Sequence, residues 1–166
     1  MDFARALRHL CYGDWQLRRA FPPATLAAVE RAIRSCEERH AGEIRFAVEA
    51  ALPWEALRRG LAPRERALEV FALQRVWDTE HNNGVLIYLL LADRDVEIVA
   101  DRGVAGGRVG AAEWEACCRT MERHFREGRF LDGAVAGVEA VAEVLHRHPP
   151  GREGPGNELP DTPVVL

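Results

Sequence analysis

The chain has 166 residues, 48% of them hydrophobic, and a formal net charge of -4, enough sequence for one domain to bury a core without disulfides or metals. All 22 basic residues are arginine and the two signs are mixed along the chain, which excludes a lysine Schiff base, a Walker-type phosphate loop and the basic stripe of a nucleic-acid binder. The one serine, Ser35, has no Gly-x-Ser-x-Gly turn around it, which excludes an α/β-hydrolase nucleophile.

Residues 1–22 read as a helical extension. A short helix over about Asp2 to Leu10 is followed by the turn Tyr12-Gly13-Asp14-Trp15, whose aromatic is expected to dock on the domain, and Phe21-Pro22-Pro23 breaks the chain. Arg8 and His9 interrupt the apolar residues, so no secretory h-region forms and the cytosol is the expected compartment.

A domain over residues 23–148 comes next. Between Pro23 and His40 the apolar positions Leu26, Val29, Ile33 and Cys36 keep helical spacing, with proline in the first turn and Gly42 past the end. Glu43 to Glu49 alternates polar and apolar residues, the pattern of a strand with one wetter face. Trp54 to Gly60 reads as an irregular or weakly helical link, and Pro63 to Trp77 restarts a helical period, so the connection to the next strand is a crossover.

Asn82-Asn83-Gly84 signals a turn. Val85 to Leu91 follows without polar alternation and reads as a central strand covered on both faces. At half the roughly 20 residues that a membrane span needs, the apolar run Gly84 to Ala92 is too short to cross a bilayer. Ala92 to Asp95 is too short for a second crossover, so Val96 to Asp101 pairs back as an antiparallel hairpin.

After a glycine-rich loop come two amphipathic helices. The first runs from Ala111 to Glu127, with Trp114, Cys117, Cys118, Met121 and Phe125 on one stripe. The second runs from Phe130 to His148, and its Gly133 and Gly137 permit a close helix contact. Residues 149–166 form a Pro/Gly-rich tail without a core of its own. The predicted fold is α/β: a three-layer α/β/α sandwich whose small mixed sheet combines a parallel crossover with an antiparallel hairpin.

Asn83-Gly84-Val85-Leu86-Ile87-Tyr88-Leu89, Asp93-Arg94-x-Val96-x-Ile98 and Asp101-x-Gly103-Val104 resemble the TPM domain family, a group that includes a thylakoid-lumen protein and many bacterial proteins. Trp114, Met121, Phe125-Arg126-x-Gly128-x-Phe130 and the Gly133 to Gly137 helix continue the resemblance. His148-Pro149-Pro150 and Asn157-Glu158-Leu159-Pro160-Asp161 are similar to the C-terminal signature of its soluble bacterial branch. The resemblance implies the mixed sheet flanked by helices. It also implies a choice of roles, among them acid-phosphatase activity, calcium or other divalent-ion binding and maintenance of membrane complexes, with a LemA-type membrane protein as a partner of the soluble relatives.

The predicted topology sorts the polar residues by sheet end. Glu49, Asp93 and Asp95 fall at one end, while Asp78, Glu80, His81, Asn82, Asn83 and Asp101 gather at the other. Asp78, Glu80, Asn82 and Asp101 are the candidate metal ligands, because carboxylate and amide oxygens suit Ca²⁺ or Mg²⁺. The reading without a ligand is local: the asparagines make the turn, Asp78 ends a helix and Asp101 caps the loop. Relatives often carry aspartate where this chain has Asn82, a neutral ligand that lowers affinity for a divalent ion. Cys117 with His124, and His146 with His148, are weaker constellations, and the four cysteines read as reduced.

The expected function is an accessory domain that binds a protein partner with the help of a divalent ion. The alternative is a metal-dependent phosphatase with weak activity.

Overall fold

The computed structural model describes residues 3–106, 108–150 and 156–166. At the centre of its sheet, β2 (Gly84–Leu90) is buried at every position. It pairs in parallel with β1 (Glu43–Glu49), in a register running from Glu43 opposite Gly84 to Glu49 opposite Leu90. On its other side β3 (Asp95–Ala100) pairs antiparallel, after a tight turn in which Arg94 has φ 54°. A fourth strand, β4 (Val164–Val165), lies parallel to β1 at the outer edge, giving the order β3-β2-β1-β4. The mixed sheet with its parallel crossover and antiparallel hairpin is therefore present.

Successive strand residues point to opposite faces, and each face has its own apolar layer. Val85, Ile87 and Leu89 join Ile44, Phe46, Val48, Val96 and Ile98 on one face. Three helices cover them: α3 (Pro23–Glu37), α7 (Ala111–Arg126) and α8 (Phe130–Arg147). On the other face Leu86, Tyr88 and Leu90 pack with Ala47 and Val99. These lie beneath α4 (Trp54–Arg59) and α5 (Pro63–Leu73), the two helices of the crossover.

Local sequence explains the helix ends. α3 and α5 each open with proline, whose missing N–H is one of the unpaired donors of a first turn. Glu65 additionally accepts the N–H of Ala62 at 2.8 Å. α7 and α8 approach so closely that a Cβ on Gly137 would stand 2.1 Å from Met121 Sδ.

Four elements differ from the sequence expectation. Asp14–Ala20 is a helix, α2, capped at its start by the Gln16 side chain accepting the Gly13 N–H at 2.9 Å; Tyr12 is the aromatic of this turn that packs on the core, while Trp15 stands exposed. The Trp54 link is a true helix, ended by Gly60 at φ 71°. α5 stops at Leu73, because the backbone turns left-handed at Arg75. β1 has no wet face, since Glu43, Arg45 and Glu49 are all buried and paired.

The partners of those three residues come from far along the chain. Glu49 accepts two hydrogen bonds from Arg66, at 2.9 and 3.0 Å, and one from the Tyr88 hydroxyl at 2.6 Å. Arg45 Nη1 donates to the carbonyls of Pro160 and Thr162. Glu43 Oε2 accepts the N–H groups of Glu158 and Leu159 at 3.2 and 3.1 Å. Arg45 and Glu43 thus bind residues 158–162 to the sheet, and β4 follows from that attachment.

Candidate functional site

At the end of the sheet where β2 begins and β3 stops, the turn Thr79 to Asn83 meets the short helix α6 (Arg102–Ala105). The Asn82 N–H donates to the Thr79 carbonyl at 3.2 Å and the Asn83 N–H to Thr79 Oγ1 at 3.1 Å. Asn82 sits at φ 53°, a conformation that asparagine tolerates better than most side chains. The Asp101 N–H donates to the Gly84 carbonyl at 2.9 Å and the Gly103 N–H to the Asn82 carbonyl at 2.8 Å. Only glycine fits at 103, because a Cβ there would lie 2.3 Å from the His81 carbonyl oxygen and 2.5 Å from that of Asn82.

Asn82 and Asp101 are brought together in this corner. Asp101 caps α6, its Oδ1 accepting the Arg102 N–H at 2.7 Å, while its Oδ2 is buried without a hydrogen-bond partner. Arg102 Nε donates to Asn82 Oδ1 at 3.0 Å, so a guanidinium already occupies the amide oxygen.

Of the other two candidate ligands, Asp78 is engaged elsewhere and the Glu80 carboxylate makes no contact with this pair. Asp78 is half-exposed and ion-paired with Arg75. Glu80 is exposed and enters the hydrogen bonding through its backbone N–H, which donates to Glu158 Oε2 at 3.0 Å. Among the described residues no group of three or more His, Cys, Asp or Glu side chains is arranged to hold a metal. A cation at this corner would depend on Asp101, Asn82 and nearby backbone carbonyls.

Beside the corner lies a cleft of about 700 Å³, lined by Glu37, His40, Glu43, Asn83 and Asn157 among others. The sequence reading passed over it. Glu37 Oε1 accepts the Ile44 N–H at 2.8 Å and its Oε2 is buried without a partner. Burial, with Glu43 and Asp161 nearby, pushes the Glu37 carboxyl up to about 8, so it is largely protonated at neutral pH. Burial also raises the Glu43 carboxyl and lowers His40 to about 4, leaving that imidazole neutral. Asp161 accepts from Arg34 Nε at 3.1 Å and from Asn157 Nδ2 at 2.5 Å. The signal in the sequence was the acidic Asn157 to Asp161 segment, but its destination depends on contacts across more than a hundred residues.

The remaining constellations are structural. Burial raises the Cys117 thiol and pushes that of Cys118 up to about 12, so neither supplies a thiolate at neutral pH. His148 pairs with Glu113 at 3.2 Å. At the opposite end of the sheet Asp93 is taken by Arg5 and His9, and burial pushes Asp95 up to about 6.

The sequence model of the family described as TPM domain matches residues 17–144. Several solved structures resemble the chain, two of them as follows. The BA42 protein from the psychrophilic bacterium Bizionia argentinensis, solved by NMR, is 28% identical, with a TM-score of 0.73, over 86% of this chain and 93% of that one. The N-terminal domain of a protein from P. gingivalis, solved by solution NMR, is 28% identical, with a TM-score of 0.54, over 74% of this chain and 76% of that one. No curated protein matches the chain.

Proposed function

The chain belongs to the TPM domain family, and from that premise we propose that it is an accessory binding domain that takes one divalent cation, Ca²⁺ or Mg²⁺, at the Asn82–Asp101 corner and presents that end of the sheet to a protein partner. The observation that carries the reading is Asp101 Oδ2, a carboxylate oxygen buried without a partner at the junction of two loops. An ionised oxygen in that state is costly unless a cation or a donor completes it, and hard divalent ions favour such oxygen ligands. For the ion to use Asn82 Oδ1 as well, Arg102 must swing away, which makes binding weak and couples it to a visible side-chain movement.

The partner reading rests on the same end of the molecule, where the exposed Glu80 and the segment Asn157 to Asp161 lie next to the corner. A LemA-type membrane protein is the specific partner proposed.

The metal-dependent phosphatase built on Asp78, Glu80, Asn82 and Asp101 has less support. Asp78 is held by Arg75 and Asn82 by Arg102, which leaves Asp101 and the solvent-exposed Glu80 as the carboxylates not so held.

Residue-resolved NMR during Ca²⁺ and Mg²⁺ titration tests the reading. Saturable amide shifts at Asn82, Asp101 and Gly103 that vanish in Asp101→Asn are the expected result. Shifts confined to Asp93 and Asp95, or none at millimolar ion, would refute the site.

A further inference from the structure

The first helix, α1 (Phe3–Cys11), is an amphipathic helix mounted inside out. Its polar side faces the domain. Arg5 donates from Nε and Nη2 to Asp93 Oδ2 at 2.9 and 2.7 Å, and Arg8 Nη2 stands 3.6 Å from the other oxygen of that carboxylate. His9 is buried, its Nδ1 accepting the Leu52 N–H at 2.9 Å and its Nε2 lying 3.0 Å from Asp93 Oδ1. Phe3, Leu7 and Leu10, spaced so that they form one stripe along the helix, face outward and are 80%, 60% and 71% exposed. Nearby in sequence, Trp15 of α2 is 66% exposed, with the Arg19 guanidinium 5.5 Å from its ring centroid.

The fold gains nothing from three large apolar side chains held in water, and a contiguous exposed apolar stripe marks an interaction surface. Charge identifies the kind of surface. Of the four arginines in residues 3–20, Arg5 is spent on Asp93, but Arg8, Arg18 and Arg19 are exposed against the single acid Asp14, in a chain whose net charge is -4. All three side chains of the stripe also project into solvent from one face of the helix. A protein partner would have to offer a matching groove, whereas a fluid lipid interface accepts a protruding apolar ridge without shape matching, its headgroups meeting arginine and tryptophan at the boundary. No helix among the described residues is long and apolar enough to cross a bilayer, so the attachment is to one face.

We infer that α1, with Trp15 of α2, lies flat on an anionic phospholipid surface, its Phe3-Leu7-Leu10 stripe in the acyl boundary and its polar side bolted to the domain through Asp93. This docking surface is independent of the Asn82–Asp101 corner and needs no divalent ion.

Co-sedimentation of the full chain with vesicles, in the presence of a chelator, tests it. The chain is expected to pellet with phosphatidylcholine vesicles containing phosphatidylglycerol and to stay in solution with pure phosphatidylcholine. Raising the salt from about 0.05 to about 0.5 M should release it. The triple variant Phe3→Ser, Leu7→Ser, Leu10→Ser should partition at least about tenfold more weakly with an unchanged thermal midpoint, because Arg5 and His9 are untouched. Should that variant unfold, Leu7→Glu alone reads the same loss. Failure of the wild type to bind anionic vesicles, or equal binding by the variants, overturns the inference. A concentration-dependent dimer that the triple variant disperses would assign the stripe to a second copy of the chain and overturn it too.

Discussion

His9 and Asp93, 84 residues apart, meet with the imidazole Nε2 3.0 Å from the carboxylate Oδ1. Because Nδ1 already accepts the Leu52 N–H, the proton sits on Nε2 and is donated to Asp93. One buried ring thus ties α1 to the loop after β1 and to the β2–β3 turn. His9→Ala would leave the buried Leu52 N–H without its partner and take one donor from Asp93 Oδ1, which Arg5 Nε still meets at 3.2 Å, at a cost of about 2 kcal/mol. Urea unfolding measures that loss, and amide exchange at Leu52 should accelerate beyond the global change.

Glu37 makes stability depend on pH. Its folded-state pKa, about 8, is raised above the ordinary 4.5, so the folded chain holds this proton more tightly than the unfolded chain does. The corresponding stabilisation is complete below about 4.5 and is lost as pH rises through about 8. Glu43, also raised, acts in the same direction. Thermal unfolding is expected to show a midpoint that falls between pH 6 and pH 9. Glu37→Gln should flatten that fall and be the more stable form at pH 9, and a wild-type midpoint constant across this range would contradict the assignment.

Gly137→Ala tests the α7–α8 contact. The added Cβ would stand 2.1 Å from Met121 Sδ and 2.3 Å from its Cγ, and Met121 is fully buried. The helices must separate or Met121 must leave its rotamer, at about 1 to 3 kcal/mol. Chemical denaturation reads the difference, and an unchanged midpoint would mean that the methionine yields freely.

Gly103→Ala strikes the corner between the Asn82 turn and α6. The new Cβ meets backbone oxygens of His81 and Asn82, which cannot rotate out of the way. The hydrogen bond from the Gly103 N–H to the Asn82 carbonyl should break, with amide shifts at Asn82, Gly84 and Asp101, while the α7 and α8 signals stay in place. Retention of the wild-type spectrum at Asn82 would show that the two loops are less tightly joined than the 2.8 Å bond implies.

Much of the architecture was legible in the sequence because it rests on local periodicity. The unbroken apolar run of β2, the short link to β3 and the stripes of α3, α7 and α8 each announce themselves within a dozen residues. β1 was misread in one respect. Its alternation is real, but Glu43, Arg45 and Glu49 are covered by groups from residues 66, 88 and 158–162, and no local pattern reveals a buried polar partner that distant. α2 escaped because its cap is a glutamine side chain bonded back to a glycine N–H.

For the candidate site, the hairpin topology was enough to bring Asn82 and Asp101 to the same end. It could not foresee that Arg75 and Arg102 would compete for Asp78 and Asn82, because the reach and aim of an arginine depend on turns whose left-handed residues, Arg75 and Asn82, are not glycines. The cleft around Glu37 was invisible for a simpler reason: one of its walls is built by the last residues of the chain.

Those last residues also govern how the molecule behaves in a crowd. Without Val164 and Val165, β1 would offer its outer N–H and C=O groups to any extended peptide, including the same strand in a neighbouring copy. Two valines and the Leu166 N–H, which donates to the Val48 carbonyl at 3.0 Å, cover that margin at Ala47 and Val48. The edge left on this side is thereby cut to a strand of two residues, too short to seed runaway strand-to-strand growth.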